Sequence, residues 1–291
     1  MITPVKYIGF LIIFPLLGRS QELNLIKDQP NAYTIEQYHV LSANPKIRQG
    51  LYQKYNANTH TLIEEGYYKN NQLDSLWMYF DTFGKVVSQG YFSNGLKNGN
   101  WKRFVNNNND NNTEVVVTEG GYVNGEKSGI WVFRKPDGNL EYKYDYSAKT
   151  ITEYGKNDGT FTIIDQKDTI VTAMDKPVIH VGGMDTLAQI LVKNLTLPDR
   201  VSIKDIPNGI YKVFISFNIN DKGKLENCTA LSGSNEQLNK EAVRVVKLWD
   251  DGNWVPGYYK GHAVKVLEIV PVIFNISVPH PISRLPVVRM D

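Results

Sequence analysis

Between Ile47 and Tyr146 the chain repeats itself, and this periodicity restricts the fold more than any other feature of the sequence. Gly66-Tyr67-Tyr68, Gly90-Tyr91-Phe92 and Gly120-Gly121-Tyr122 align. Behind them stand Asn70-Asn71, Asn94-Gly95 and Asn124-Gly125, then Leu76-Trp77, Asn100-Trp101 and Ile130-Trp131. The glycines recur after 24 and then 30 residues (66 to 90 to 120), and the tryptophans keep those intervals (77 to 101 to 131). Such a period marks stacked supersecondary units, each of which needs its neighbours to bury a face. An Asn-Gly pair favours positive φ at both turn positions, so each unit reads as two short strands joined by a tight turn. The longer second interval is absorbed by the polar tract Asn106 to Asn112, a lengthened hairpin loop. Arg48-Gln49-Gly50-Leu51-Tyr52 reads as the second half of an incomplete leading repeat, with Tyr52 in the tryptophan place.

The pattern G-x-Y-x-N-G-x-x-x-G-x-W resembles the variant MORN repeats of bacterial proteins. The first full unit departs from it at Asn71 and Ser75, where the later units carry glycine, which predicts weaker turns and a terminal position. Two roles are open to Trp77, Trp101 and Trp131. The repeat logic favours the core of the stack, and the alternative is a docking surface for a partner.

A different pattern occupies Gly209 to Ile276. Tyr211, Val213, Ile215, Phe217 and Ile219 alternate with Lys212, Ser216 and Asn218, the period of a half-buried strand. Asp221-Lys222-Gly223 makes the turn, and a second strand runs from Lys224 to Leu231. Ser234-Asn235-Glu236-Gln237 reads as a capping-box start to a helix with Leu238, Ala242, Val245, Val246 and Trp249 on one face. Beyond Trp254-Val255-Pro256-Gly257, a final strand spans Ala263 to Ile276. Upstream, Gly182 to Leu195 forms a helix with Leu187, Ile190, Leu191 and Leu195 on one side, stopped by Pro198.

This order resembles the TonB C-terminal domain over roughly residues 178 to 277. The residues that carry the likeness are Gly182-Gly183, Leu197-Pro198, Asp221-Lys222-Gly223 and Leu238 with Glu241-Ala242, followed by Trp254 with Pro256, Gly261 with Val264, and Pro271-Val272-Ile273-Phe274. The expected fold is therefore an all-β antiparallel hairpin meander followed by a small α+β domain. The resemblance implies that the domain takes an extended peptide as an added strand at a sheet edge. The strand expected at that edge is the last one, with Val264, Lys265, Val266, Leu267, Glu268 and Ile269 as partner-binding residues. Pro271 lacks an N–H and suits an edge, and Lys265 and Glu268 supply charges that restrict pairing. The implied partner is the periplasmic segment of an outer-membrane TonB-dependent transporter.

The rest of the chain frames this reading. At 291 residues two domains are expected. A net charge of +2 with no basic block gives no basis for nucleic-acid binding. Residues 1–20 read as a cleaved secretory signal. Lys6 precedes an apolar core from Tyr7 to Leu17, and Gly18-Arg19-Ser20 places small residues before a cut at Gln21. That core is well short of the ~20 residues of a spanning helix. The implied location is the periplasm or cell envelope. The alternative is an uncleaved inner-membrane anchor, which would make the protein an energy transducer. A third reading is an envelope scaffold that holds peptidoglycan or protein, and strand-exchanged homodimers also fit an edge-rich domain.

The expected divisions are an N-terminal segment over 21–46 with a short helix at Thr34–Leu41, repeats over 47–146, a linker over 147–177, the C-terminal domain over 178–277 and a tail over 278–291. Within the linker, Thr160 to Ile164 is expected to be a strand that closes the repeat sheet. No catalytic, cofactor or metal site is expected. The five histidines are dispersed, Glu64-Glu65 and Asp250-Asp251 read as solvated pairs, and the single Cys228 reads as a small buried residue on a strand.

Overall fold

Two-residue turns set the strand registers of the N-terminal region. In a computed structural model that describes residues 21–107, 113–157, 159–165, 168–196, 206–233 and 235–276, Asn94 and Gly95 take φ of 50° and 81°, and Asn124 and Gly125 take 50° and 89°. These are the paired positive values of a tight hairpin. Asn70 and Asn71 reach 51° and 66° without a glycine, and Ser75 at 60° reproduces the conformation of Gly99 and Gly129. Asn tolerates this region well, so the first unit keeps the geometry of the others.

The result is an eleven-stranded antiparallel meander in chain order. Its strands are β1 (Leu23–Asn31), β2 (Thr34–Leu41), β3 (Asn44–Asn56), β4 (Leu62–Lys69), β5 (Gln72–Phe80), β6 (Val86–Ser93), β7 (Leu96–Asn107), β8 (Thr113–Val123), β9 (Glu126–Arg134), β10 (Leu140–Asp145) and β11 (Thr150–Tyr154). Two expectations are corrected here. Thr34–Leu41 is a strand, because its neighbours β1 and β3 supply ladders on both sides that outweigh local helix propensity. The first full repeat is not terminal, since β1 to β3 extend the sheet ahead of it.

By compactness the chain divides into one unit of Met1–Lys102 with Tyr122–Glu126 and another of Arg103–Gly121 with Lys127–Asp291. In the first, aromatic and glycine positions alternate across the strands: Tyr52 lies opposite Gly66, and Trp77 lies opposite Gly90. Each glycine makes the hollow in which the next ring sits. A Cβ at Gly66 would lie 2.1 Å from Trp77, and one at Gly90 would lie 2.2 Å from Trp101. Tyr52 stacks on Trp77 with centroids 5.5 Å apart, and Phe92 meets Trp101 edge-on at 5.2 Å. Lys97 holds its ammonium 4.0 Å from the centre of the Trp101 ring, and burial lowers its pKa.

In the second unit Gly120 and Trp131 repeat this arrangement, with Lys127 over the Trp131 ring at 4.6 Å. Phe133 stacks on Tyr142 at 4.4 Å, and the buried Tyr142 hydroxyl donates to the carbonyl of His180 at 3.1 Å. After β11 come β12 (Phe161–Asp165), β13 (Asp168–Thr172) and the short β14 (Ile179–His180), then helix α1 (Gly183–Asn194). The remainder is β15 (Gly209–Ile219), β16 (Leu225–Ser232), helix α2 (Glu236–Lys247), β17 (Trp254–Val255), β18 (Gly257–Tyr259) and β19 (His262–Ile276).

A second sheet has the order β13-β12-β19-β15-β16, with β18 paired to β19. Leu187 and Leu191 of α1 and Leu238, Ala242, Val245 and Val246 of α2 pack on Ile215, Phe217, Val272 and Phe274, with Trp249 closing the core. The cap of α2 is Asn235, whose side chain accepts from the amides of Gln237 and Leu238. Half-buried Cys228 packs against this core, and burial pushes its thiol pKa up. A further correction concerns β12. It is a strand as expected, yet it joins the second sheet beside β19 and does not close the meander. The expected signal at residues 1–20, most of the Asn106–Asn112 tract, Leu197-Pro198, Ser234 and the tail over 278–291 lie outside the described residues.

Candidate functional site

The final strand, β19, is apolar and alternating because both of its faces have work to do. Val266, Val272, Phe274 and Ile276 are buried, while Lys265, Ile269 and Asn275 point outward. One side of its backbone is committed along nearly its full length: β15 pairs with it from Gly209 opposite Ile276 to Ile219 opposite Val266, and β18 takes over at Val264. The other side is the candidate edge.

The six residues expected there divide sharply. β12 pairs antiparallel with β19 at Thr162–Leu267, Ile163–Val266 and Ile164–Lys265, so this stretch is not an open edge. Val264 and Val266 are buried with Ile163 and Met174 in a small cluster beside the core beneath the helices, with Val178 packed against both. Lys265 reaches Glu226 on β16 at 3.1 Å and is held as an ion pair. From Glu268 onward, no strand among the described residues pairs with this side. Ile269 is 51% exposed there, and Pro271 lies two residues further along. The charge restriction expected of Lys265 and Glu268 takes a different form. Burial pushes the Glu268 carboxyl up to about 7, so near neutral pH it is only partly ionised.

The tryptophans do not form a surface. Trp77 is 0% exposed, and Trp101 and Trp131 are each 4% exposed. Their indole N–H groups donate to the carbonyls of Tyr67, Tyr91 and Gly121 at 3.1, 2.9 and 3.0 Å. The docking role is corrected to a core role: the rings fill the glycine hollows and pack against neighbouring tyrosine and phenylalanine rings.

One polar arrangement escaped the sequence reading. His180 and Asp251, 71 residues apart, meet with the ring Nε2–H donating to both carboxylate oxygens at 3.1 Å. Burial lowers the His180 pKa more than Asp251 raises it, so the pair is a neutral imidazole on a carboxylate. Burial alone would raise Asp251, but hydrogen bonds from Asn253 and His180 hold it below the usual carboxylate range. Asp250 accepts from the Leu225 amide at 3.3 Å. The pair Asp250-Asp251, read as solvated surface, therefore pins the turn after α2. No cluster of three metal-ligating side chains occurs among the described residues, and no helix there is long and apolar enough to cross a membrane.

Residues 212–276 match the family described as Gram-negative bacterial TonB protein C-terminal. Among solved structures, a chain of S. aureus TarM, a mutant in complex with fondaparinux, alpha-GlcNAc-glycerol and UDP, is similar at 14% identity and a TM-score of 0.26. That alignment covers 45% of this chain and 21% of TarM, so the chain spans about a fifth of the length of the structure it matches. No curated protein matches.

Proposed function

We propose, from the match of residues 212–276 to the TonB C-terminal family, that this TonB-like envelope protein works in the periplasm as a strand-accepting adaptor. It binds an extended segment of an outer-membrane TonB-dependent transporter along β19 and performs no catalysis of its own. The observation that carries this reading is the side of β19 from Glu268 to Ile276. It lies on a strand fixed by β15, yet has no paired strand among the described residues. A backbone held straight by one neighbour presents its free N–H and C=O groups at strand spacing, so an extended chain gains main-chain hydrogen bonds with little reorganisation of the host. Ile269, exposed on that strand, supplies an apolar contact at the start of the open stretch. The tryptophans of the meander are spent on packing within its strands.

The test is site-directed photo-crosslinking in living cells, with the probe at Ile269. An outer-membrane barrel identified in the product supports the reading. Products containing only a second copy of this chain or cell-wall material refute it. Sequencing the N-terminus of the same purified protein separates an adaptor beginning at Gln21 from an anchored transducer that retains Met1.

A further inference from the structure

We propose that the β12–β13 hairpin is an autoinhibitory strand, seated in cis on the edge that an incoming segment needs and displaced when the segment binds. The inference rests on the strand-acceptor reading of β19 and goes on to state how that edge is regulated.

The geometry of the hairpin points to exchange. β12 uses the same kind of backbone hydrogen bonding that a partner strand would use, on the same side of β19, but over only three residue pairs. β15 holds the other side over almost the whole strand. The apolar support of the hairpin is the small core of Ile163, Met174, Val264 and Val266, none of which belongs to the main core beneath the helices, although Val178 packs against both. No residue of β12 or β13 belongs to the core formed by α1, α2 and β15, so loss of the hairpin removes no side chain from it. A hydrogen-bond contact between the His262 ring and the Asp165 carboxylate, 3.2 Å apart, closes the far end. β13, which covers β12 from outside, is an edge strand with Val171 68% exposed. Local units with few buried contacts open at a lower free energy than the global fold.

The line of the edge supplies a route. Phe161 begins β12 near the point where the open stretch of β19 starts at Glu268, so a segment that pairs first along Ile269–Ile276 abuts the end of the hairpin. Each further residue it adds replaces one of β12 at equal hydrogen-bond number. The exchange proceeds stepwise and never leaves the β19 backbone bare.

The chain itself provides the probe: a fluorescein-labelled peptide with the sequence of residues 160–165, which contains the β12 strand. Two variants of the full chain bracket the wild type. In the first, a glycine–serine linker of equal length replaces residues 157–172 and vacates the edge. In the second, Thr162→Cys and Leu267→Cys, placed in a Cys228→Ser background, form a disulfide across an opposed pair when oxidised. If the hairpin is open in ~1–10% of molecules, the vacated edge binds the peptide about 10–100-fold more tightly than the wild type. The oxidised lock, left with only the stretch beyond Leu267, should bind more weakly than the wild type, and reduction should restore wild-type affinity. Equal affinity for the vacated, wild-type and oxidised proteins overturns the inference, as does no binding to a vacated variant that melts cooperatively. Hydrogen exchange gives a check that does not depend on folding of the variants: β12 amides in the free wild type should exchange faster than those of β15, and equal protection overturns the proposal. Failure of the underlying reading has a separate signature, in which the peptide discriminates among the variants but the Ile269 crosslink finds no barrel.

Discussion

Replacing Gly66 by alanine tests the aromatic ladder at its most constrained point. The residue lies in strand β4 and is not in the positive-φ region, so on backbone grounds alone alanine should stabilise by ~0.4–1 kcal/mol. Space reverses the sign. The new Cβ would lie 2.1 Å from Cδ2, 2.3 Å from Cε2 and 2.5 Å from Cγ of Trp77, against the ~3.5–4.0 Å of ordinary carbon contacts. Trp77 has little room to retreat, with Tyr52 stacked at 5.5 Å and Tyr68 and Phe92 edge-on at 5.5 and 5.9 Å. Its indole N–H is also tied to the carbonyls of Tyr67 and Asp74 at 3.1 and 3.2 Å. Overpacking of ~1–3 kcal/mol and a disturbed buried hydrogen bond of ~1–3 kcal/mol, less the backbone gain, predict a net loss of about 2–4 kcal/mol. Trp77→Ala alone should cost ~3–5 kcal/mol. In that background the Cβ has room, so Gly66→Ala should be neutral or slightly stabilising, a coupling of about 2–4 kcal/mol. Urea unfolding followed by far-ultraviolet circular dichroism measures all four proteins without depending on the tryptophan signal. A neutral or stabilising Gly66→Ala in the wild type, or an equal cost in both backgrounds, would refute the hollow-and-ring account.

Three further outcomes are expected. Tyr142→Phe keeps the stack on Phe133 but strands the buried His180 carbonyl, and should lower stability by ~1–3 kcal/mol in urea unfolding; an unchanged midpoint would show that the hydroxyl anchors nothing. His180 has a folded pKa below its unfolded value of about 6.5, so the stability it contributes is present above that pH and is lost as pH falls through the folded value. Denaturation at several pH values should show this decline in the wild type and a flatter profile in His180→Gln. For Glu268 the sign is opposite: a carboxyl raised to about 7 contributes stability below its unfolded value and loses it as pH rises through 7. Glu268→Gln should therefore gain ~1–3 kcal/mol over the wild type at pH 8 and little at pH 4, and an equal change at both pH values would sink the argument.

Much of this architecture is local chemistry, and local chemistry is written in the chain. The spacing of Gly66, Gly90 and Gly120 ahead of Trp77, Trp101 and Trp131 specifies strand pairs, their turns and the side on which the rings stack, because each unit touches mainly its sequence neighbours. The helices were equally legible from the faces that carry Leu187 and Leu191, and Leu238, Ala242 and Val245. The misreading of Thr34–Leu41 has the same origin in reverse: with few local signals, its conformation was decided by β1 and β3 on either side.

Residues 161–165 mark the boundary between the two kinds of information. The alternation of Phe161 and Ile163 identifies a strand, but all strands offer the same backbone donors and acceptors, so its neighbour was expected in the meander by proximity in the chain and is found in β19 instead. The pairing of His180 with Asp251 is similar, since two side chains 71 residues apart acquire their meaning only when β14 and the turn after α2 are brought together. The sequence by itself determined the repeat strands with their turns, the glycine–tryptophan ladder, the helices and the likeness of residues 212–276 to the TonB C-terminal family. Only the tertiary structure decided which edge of β19 is occupied and which is open, because that choice depends on the burial of Ile163 against Val264 and Val266, a contact between segments a hundred residues apart in the chain.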